Sequence, residues 1–145
     1  MKVCVFGLWH LGCTVSACLA KLGHTVVGLD HNKETISNLN AGKAPLFEPG
    51  LDVLIQEGIL KLKLSFTDKV NKMIEDSDIL WVTMDTPVDE NDKADIQYVE
   101  DKIKYLIPKL KDNLLVVISS QVPVGFTRHM KIGLGKRLPK KKIRF

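Results

Sequence analysis

The chain has 145 residues, 45% hydrophobic and 26% charged, which suits one domain with a real core and excludes a low-complexity or disordered tract. No apolar run approaches the ~18 residues of a membrane span, and the short N-terminal apolar stretch breaks at Gly7 instead of forming a signal peptide. The net charge of +4 is local, since six of the 21 Lys and Arg fall in the last ten residues, KRLPKKKIRF, and removing those six cations leaves −2; a nucleic-acid surface is not indicated.

Apolar residues over 3–6 (VCVF) predict a first strand, followed by the loop GLWHLG at 7–12. Residues 10–22 place Leu11, Val15, Cys18, Leu19 and Leu22 on one helical face, and Gly23 ends that helix. HTVVGLD (24–30) predicts the second strand. Residues 33–39 read as a helix, and the loop GKAPLFEPG then leads into another over 51–56. LKLSF (62–66) predicts a third strand, with Asp68 capping a helix that runs through Glu75. DILWVTM (78–84) is almost wholly apolar, as a strand buried on both faces should be, with Trp81 in the core. Residues 95–111 carry Ile96, Val99, Ile103, Ile107 and Leu110 at helical spacing. NLLVVISS (113–120) predicts a further buried strand, 127–134 a helix, and KKIRF (141–145) the beginning of a last strand. Strands alternating with helices predict a parallel sheet covered on both sides, a single doubly wound α/β domain of Rossmann type. The last strand runs off the end, so the chain is expected to be the front piece of something longer.

The cysteines, Cys4, Cys13 and Cys18, are odd in number and match neither a zinc site nor a disulfide framework. Buried structural thiols in the cytoplasm are the expectation. Cys13 stands in the first turn of a helix, where a thiol can have a lowered pKa.

GLWHLG has the outline of a G-x-G-x-x-G loop, follows a strand, opens a helix, and precedes Asp30 by 18 residues counted from Gly12. Gly7 suits the tight turn and Gly12 the close packing of helix on sheet. The helix N-terminus offers free N–H groups and partial positive charge to a pyrophosphate. Asp30 would accept hydrogen bonds from ribose hydroxyls and repel a 2′-phosphate, which favours NAD over NADP. Trp9 stands where the middle glycine normally lets backbone and phosphate approach. Its side chain must swing away from the cofactor, or it excludes the cofactor.

The segments KVCVFGLWHLG, GHTVVGLD, NAGKAPLFEPGL, DTP (85–87) and SSQVPVGFT (119–127) occur in that order. Together they resemble the N-terminal domain of the UDP-glucose/GDP-mannose dehydrogenase family over essentially the whole chain. The resemblance implies a nucleotide-sugar substrate whose C6 alcohol is oxidised to a carboxylate in two steps with two NAD. It implies that Gly7 and Gly12 are the loop glycines, that His10 replaces a common Tyr, and that Leu11 takes the place of a small apolar residue touching the cofactor. By the same likeness Asp30 is the ribose-binding acid, Thr86 lines the nicotinamide side, and Ser120 and Gln121 match a Ser-Thr pair near it. Departures are Trp9, Gln121 in place of a Thr that helps hold a catalytic water, Asp85 where a small residue is usual, and Thr35 where a Lys or Arg often reaches the adenosine end.

The family's catalytic Lys, Asn and Cys would lie beyond Phe145, so this chain alone is expected to be inactive. Its dimerising central helix would also be absent, leaving this piece monomeric beside a homodimeric full-length enzyme. UDP-glucose, UDP-N-acetylhexosamines and GDP-mannose all stay open as substrates; nucleic acid and membrane are not expected partners. Two other readings remain: a non-catalytic Rossmann module that senses nucleotide, whose first 30 residues would look alike, and a scaffold in which Trp9 fills the pyrophosphate space. Among the remaining residues, His24 and His129 are expected at the surface or as caps. The carboxylates of PVDENDKAD (87–95) read as a solvated loop. Glu48, between Pro45 and Pro49, is either a positioned element near the site or a structural ion pair.

Overall fold

A computed structural model of the chain describes all 145 residues. In chain order it contains β1 (Lys2–Phe6), α1 (His10–Lys21), β2 (Thr25–Leu29), α2 (Lys33–Asn40), α3 (Leu51–Leu60), β3 (Leu64–Thr67) and α4 (Lys72–Glu75). There follow β4 (Ile79–Val82), α5 (Ile96–Leu106), β5 (Leu114–Ile118), α6 (Phe126–Arg137) and β6 (Ile143–Arg144). The six strands form one parallel sheet in the order β3-β2-β1-β4-β5-β6. The strand order reverses between β1 and β4, so their C-terminal ends border the crevice where ligands of such sheets bind.

Alternation along the strands builds two cores. Val3, Val5, Val26, Leu64 and Phe66 pack with Cys13, Ala17, Ile36, Leu39, Leu51 and Ile55 under α1, α2 and α3. Cys4, Phe6, Val27, Leu29, Leu80, Val82, Leu114 and Val116 point the other way, against Ile74 of α4, Val99 and Ile103 of α5, and Met130 and Leu134 of α6. The helices of the first face lie over β1, β2 and β3. On that face Trp81 is therefore partly buried instead of enclosed in the core, and its indole Nε1 donates to Ser119 Oγ at 2.9 Å.

The element boundaries move for identifiable reasons. Helix α3 continues past Gln56 because Gly58 is a packing residue: a Cβ there would lie 2.9 Å from Leu64 Cβ and 3.4 Å from Ala20 Cβ. Pro108 ends α5 early, since it lacks the N–H a helix needs, and residues Ile107–Lys109 form a 3-10 turn. Asp68 does not cap α4. Asn71 does, its side chain accepting from the Ile74 N–H at 3.2 Å, while Val70 packs against the core just before it. On the second face Glu100 is buried between α5 and α6, pairing with Lys104 and lying 3.2 Å from His129 Nε2. Lys104 and then His129 hold its carboxyl below the usual carboxylate range.

Candidate dinucleotide site

The turn after β1 is built by what two glycines lack. Gly7 has φ +99°, and a Cβ on it would strike Met84 at 2.5–2.6 Å. Leu8 then drops its side chain into the core against Gly28, where it is almost fully buried. A Cβ on Gly12 would sit 1.8 Å from the Gly7 carbonyl oxygen and 2.8 Å from Thr83 Oγ1. The first turn of α1 therefore rests directly on the glycine turn. Thr83 Oγ1 lies 2.7 Å from the Gly7 oxygen and 3.2 Å from that of Phe6, so its single hydroxyl proton is shared between the two. Sequence reading passed over Thr83; the signal was a hydroxyl inside the otherwise apolar run ILWVTM.

Trp9 is the N-cap residue of α1, with φ −95°, ψ −151° and no capping side chain. Its backbone is extended, a conformation open to any L-residue, and its side chain is 46% exposed. The Trp ring is thus not packed into the core beneath the loop. The N–H groups of the first turn have no side-chain partner, which leaves the positive end of the helix dipole open. His10 and Leu11 follow, both exposed in part, and His10 Nε2 lies 2.6 Å from Glu48 Oε1 in the FEPG segment. That contact ties Glu48 to the first residue of α1 by a hydrogen bond.

Asp30, at the end of β2, ties the turn to the next strand. Its Oδ2 accepts from the Leu8 N–H at 2.7 Å and its Oδ1 from the Asn32 N–H at 2.9 Å. A carboxylate has about four lone-pair positions, so each oxygen keeps one for a ligand hydroxyl. Thr35 sits in the first turn of α2, where its N–H donates to the capping Asn32 side chain at 3.1 Å. Beyond β4 and β5, Thr86 Oγ1 donates to the Gln121 carbonyl oxygen at 2.7 Å, joining the two loops across 35 residues of sequence. The Gln121 side chain and Asp85 are exposed. Ser120 Oγ is buried with no hydrogen-bond partner. Buried polar atoms are rarely left so.

The geometry joins Asp30 to the turn through the Leu8 N–H, seats Gly12 on the Gly7 carbonyl by close packing, and bonds Thr86 to Gln121 on the far side of the switch point. The uncapped helix end suits an anion, the free lone pairs of Asp30 suit ribose hydroxyls, and the orphaned Ser120 hydroxyl suits a polar group. This donor and acceptor set fits a dinucleotide. No cluster of His, Cys, Asp and Glu could hold a metal ion.

The cysteines depart from expectation. Cys18 is exposed, not buried. Burial, followed by the Asp30 charge, pushes the Cys13 thiol up to about 12, the reverse of a helix-activated thiol. Burial alone does the same for Cys4. A disulfide reagent at mildly alkaline pH should therefore modify one thiol per native chain. Cys18→Ser should leave none reactive until denaturant is added, and rapid reaction of a second thiol would contradict the burial of Cys4 and Cys13.

A parallel sheet in this order, with an open helix end and an acid at the tip of β2, defines a dinucleotide-binding Rossmann domain. The chain belongs to the UDP-glucose/GDP-mannose dehydrogenase family, whose NAD binding domain matches residues 1–144. GDP-mannose 6-dehydrogenase of Pseudomonas aeruginosa is 34% identical over 137 residues, covering 92% of this chain and 31% of that protein. UDP-glucose 6-dehydrogenase of Rhizobium meliloti is 35% identical over 126 residues, covering 86% and 29%. Among solved structures, a ternary complex of GDP-mannose dehydrogenase from P. aeruginosa superposes with a TM-score of 0.87 at 32% identity, covering 98% of this chain and 33% of that one. UDP-D-ManNAc dehydrogenase from Pyrococcus horikoshii gives 0.89 at 29% identity, covering 99% and 34%. The chain spans about a third of the length of these relatives. No helix is long and apolar enough to cross a membrane.

Proposed function

We infer that the chain is the cofactor-binding part of a nucleotide-sugar 6-dehydrogenase. NAD would lie across the switch point with its pyrophosphate on the first turn of α1. Gly7 and Gly12 would give it room, and the backbone N–H groups at Trp9, His10 and Leu11 would face its charge. Asp30 would accept the adenosine ribose hydroxyls, with Thr35 toward the adenosine end. Thr86, Ser120 and Gln121 would flank the nicotinamide. The bound cofactor supplies a hydride acceptor; these residues orient it.

The observation that carries this reading is the Asp30–Leu8 hydrogen bond, which makes ribose acid and phosphate loop one rigid unit. The relatives' own names, for enzymes of GDP-mannose and UDP-glucose, support a nucleotide sugar as the substrate class. Their threefold greater length supports a substrate-binding and catalytic portion outside these residues. The full enzyme would oxidise the C6 alcohol to a carboxylate with two NAD, as a homodimer, while this piece alone would be inactive. Free thiols fit a reducing cytoplasm.

The test is a calorimetric titration with NAD and with NADP, beside a Trp9→Gly variant. Binding of NAD by both proteins, with NADP weaker, is the expected result. Binding by the variant alone would make Trp9 a plug and the natural chain a scaffold. Millimolar NAD failing to bind either protein would sink the reading.

A further inference from the structure

The first face of the sheet is only half covered, its helices lying over β1, β2 and β3. Strands β4 and β5 turn Ile79, Trp81, Leu115 and Val117 toward that face, and all four are only half-buried. Ile79 and Trp81 touch the rim of the first core, whereas Leu115 and Val117 pack against neither core. Their neighbours on the other face, Leu80, Val82, Leu114 and Val116, are almost fully buried. An interior strand of a parallel sheet is ordinarily covered on both faces, so β5 lacks a layer.

The register turns these four residues into a regular floor. Ile79 stands beside Leu115 and Trp81 beside Val117, in two rows about 6.6 Å apart. That spacing is close to the ~6 Å rise between residues i and i+4 of a helix. Strands lie about 4.8 Å apart and packed helices about 8–10 Å apart, so β4 and β5 together give the width of one helix. Helix α1 supplies a wall. Leu11, Thr14 and Cys18 line its cleft with α3, and Lys21 pairs with Glu57 of α3. Val15 and Leu19, half-buried, fall on the opposite flank, toward β4.

We propose that this groove seats an amphipathic helix from the polypeptide that follows β6 in the full-length protein. The proposal rests on the reading of the chain as part of a longer enzyme. Relatives of about three times the length support an occupant from the same chain. Strand β6 pairs with β5 at Leu114 and Leu115, so it carries the chain to the edge of the uncovered face. A second copy of this chain fits less well. None of its helices exposes large apolar residues at i and i+3 or i+4, and the outer face of α6 carries Arg128, Lys131 and Lys136. A seated helix also reaches the cofactor crevice. Trp81 Nε1 donates to Ser119 Oγ at 2.9 Å, and Ser119 precedes Ser120 and Gln121, so pressure on the indole steadies the segment assigned to the nicotinamide.

The experiment introduces Val117→Cys with Cys18→Ser, both in the full-length protein and in residues 1–145, and follows alkylation at position 117 by peptide mass spectrometry. In residues 1–145 the new thiol should react freely while Cys4 and Cys13 stay unreactive, the sign that the fold is intact. In the full-length protein it should react at least about tenfold more slowly until denaturant is added. Photo-crosslinking from p-benzoylphenylalanine in place of Trp81 should then capture a segment beyond residue 145 of the same chain. Protection in residues 1–145 that grows with protein concentration, or a crosslink between two chains, puts a second copy in the groove and overturns the proposal. Full-length protein that binds NAD but reacts at position 117 as fast as residues 1–145 overturns the seat and leaves the cofactor reading standing. A natural protein of 16.2 kDa, the mass of these 145 residues, overturns the seat and the longer enzyme together.

Discussion

Gly12→Ala should cost about 3 kcal/mol or more of stability and abolish NAD binding with it. The added Cβ would lie 1.8 Å from the Gly7 carbonyl oxygen, an impossible contact with backbone on both sides. No flexible side chain can give way, so α1 must lift off the sheet. Lifting it breaks the Thr83–Gly7 hydrogen bond and loosens the packing of Cys13 and Ala17 under the same helix. For a domain of this size that corresponds to a melting temperature lower by roughly 10 °C. Gly135→Ala is the control. It lies in the exposed part of α6 with nothing within 4 Å of an added Cβ, so it should stabilise by about 0.5–1 kcal/mol through helix propensity. A Gly12→Ala protein melting within a degree or two of wild type would mean that α1 does not rest on the glycine turn.

The contrast between these two glycines shows what the sequence could and could not convey. Strands β1, β2, β4 and β5 were legible as short apolar runs between turn residues, β3 and β6 only as short segments mixing apolar and polar residues, and the alternation of strands with helices dictated a parallel sheet. Helix ends were less legible where a residue has two meanings. Gly58 lies beyond the 51–56 helix read from the sequence but serves inside α3 as a gap for Leu64, and Asp68 reads as a cap although Val70 must first reach the core. Within the candidate site, the turn at Gly7 and Gly12 and its neighbour Asp30 could be picked out because the turn, the helix and the acid are close in sequence. Thr83 and Glu48 were not, or not fully. Their roles depend on contacts across 76 and 38 residues that only the folded chain brings together. Trp9 illustrates the limit in the other direction. It breaks the motif in letters, yet the extended backbone it adopts has no need of glycine. Cys13 looked activated by its helix, but local position was outweighed by burial, which costs a thiolate more than one helix end returns.

Asp30→Ala should separate the two tasks assigned to that carboxylate. The first is structural. Without Oδ2 the partly buried Leu8 N–H loses its acceptor, at a cost of about 1–3 kcal/mol. Asp30→Asn keeps a carbonyl oxygen for that N–H and should recover most of the loss. The second is recognition. Hydrogen bonds to a charged acceptor are worth ~1.5–3 kcal/mol each, so losing those to the ribose should weaken NAD by about a hundredfold or more in the Ala variant. The Asn variant, stable but with a neutral acceptor and a donor where a hydroxyl should donate, should bind at an intermediate level. NADP gives the sharper reading, because its 2′-phosphate is repelled only while the charge is present. Both variants should therefore lose most of the preference for NAD over NADP, whatever their absolute affinities. Cys13 provides an internal check on the fold: the Asp30 charge is the lesser of the two causes that raise its pKa, so in a correctly folded variant its thiol should stay unreactive. If Asp30→Ala is as destabilised as expected but keeps the wild-type cofactor preference, the carboxylate is a brace for the loop and the ribose is read by another group.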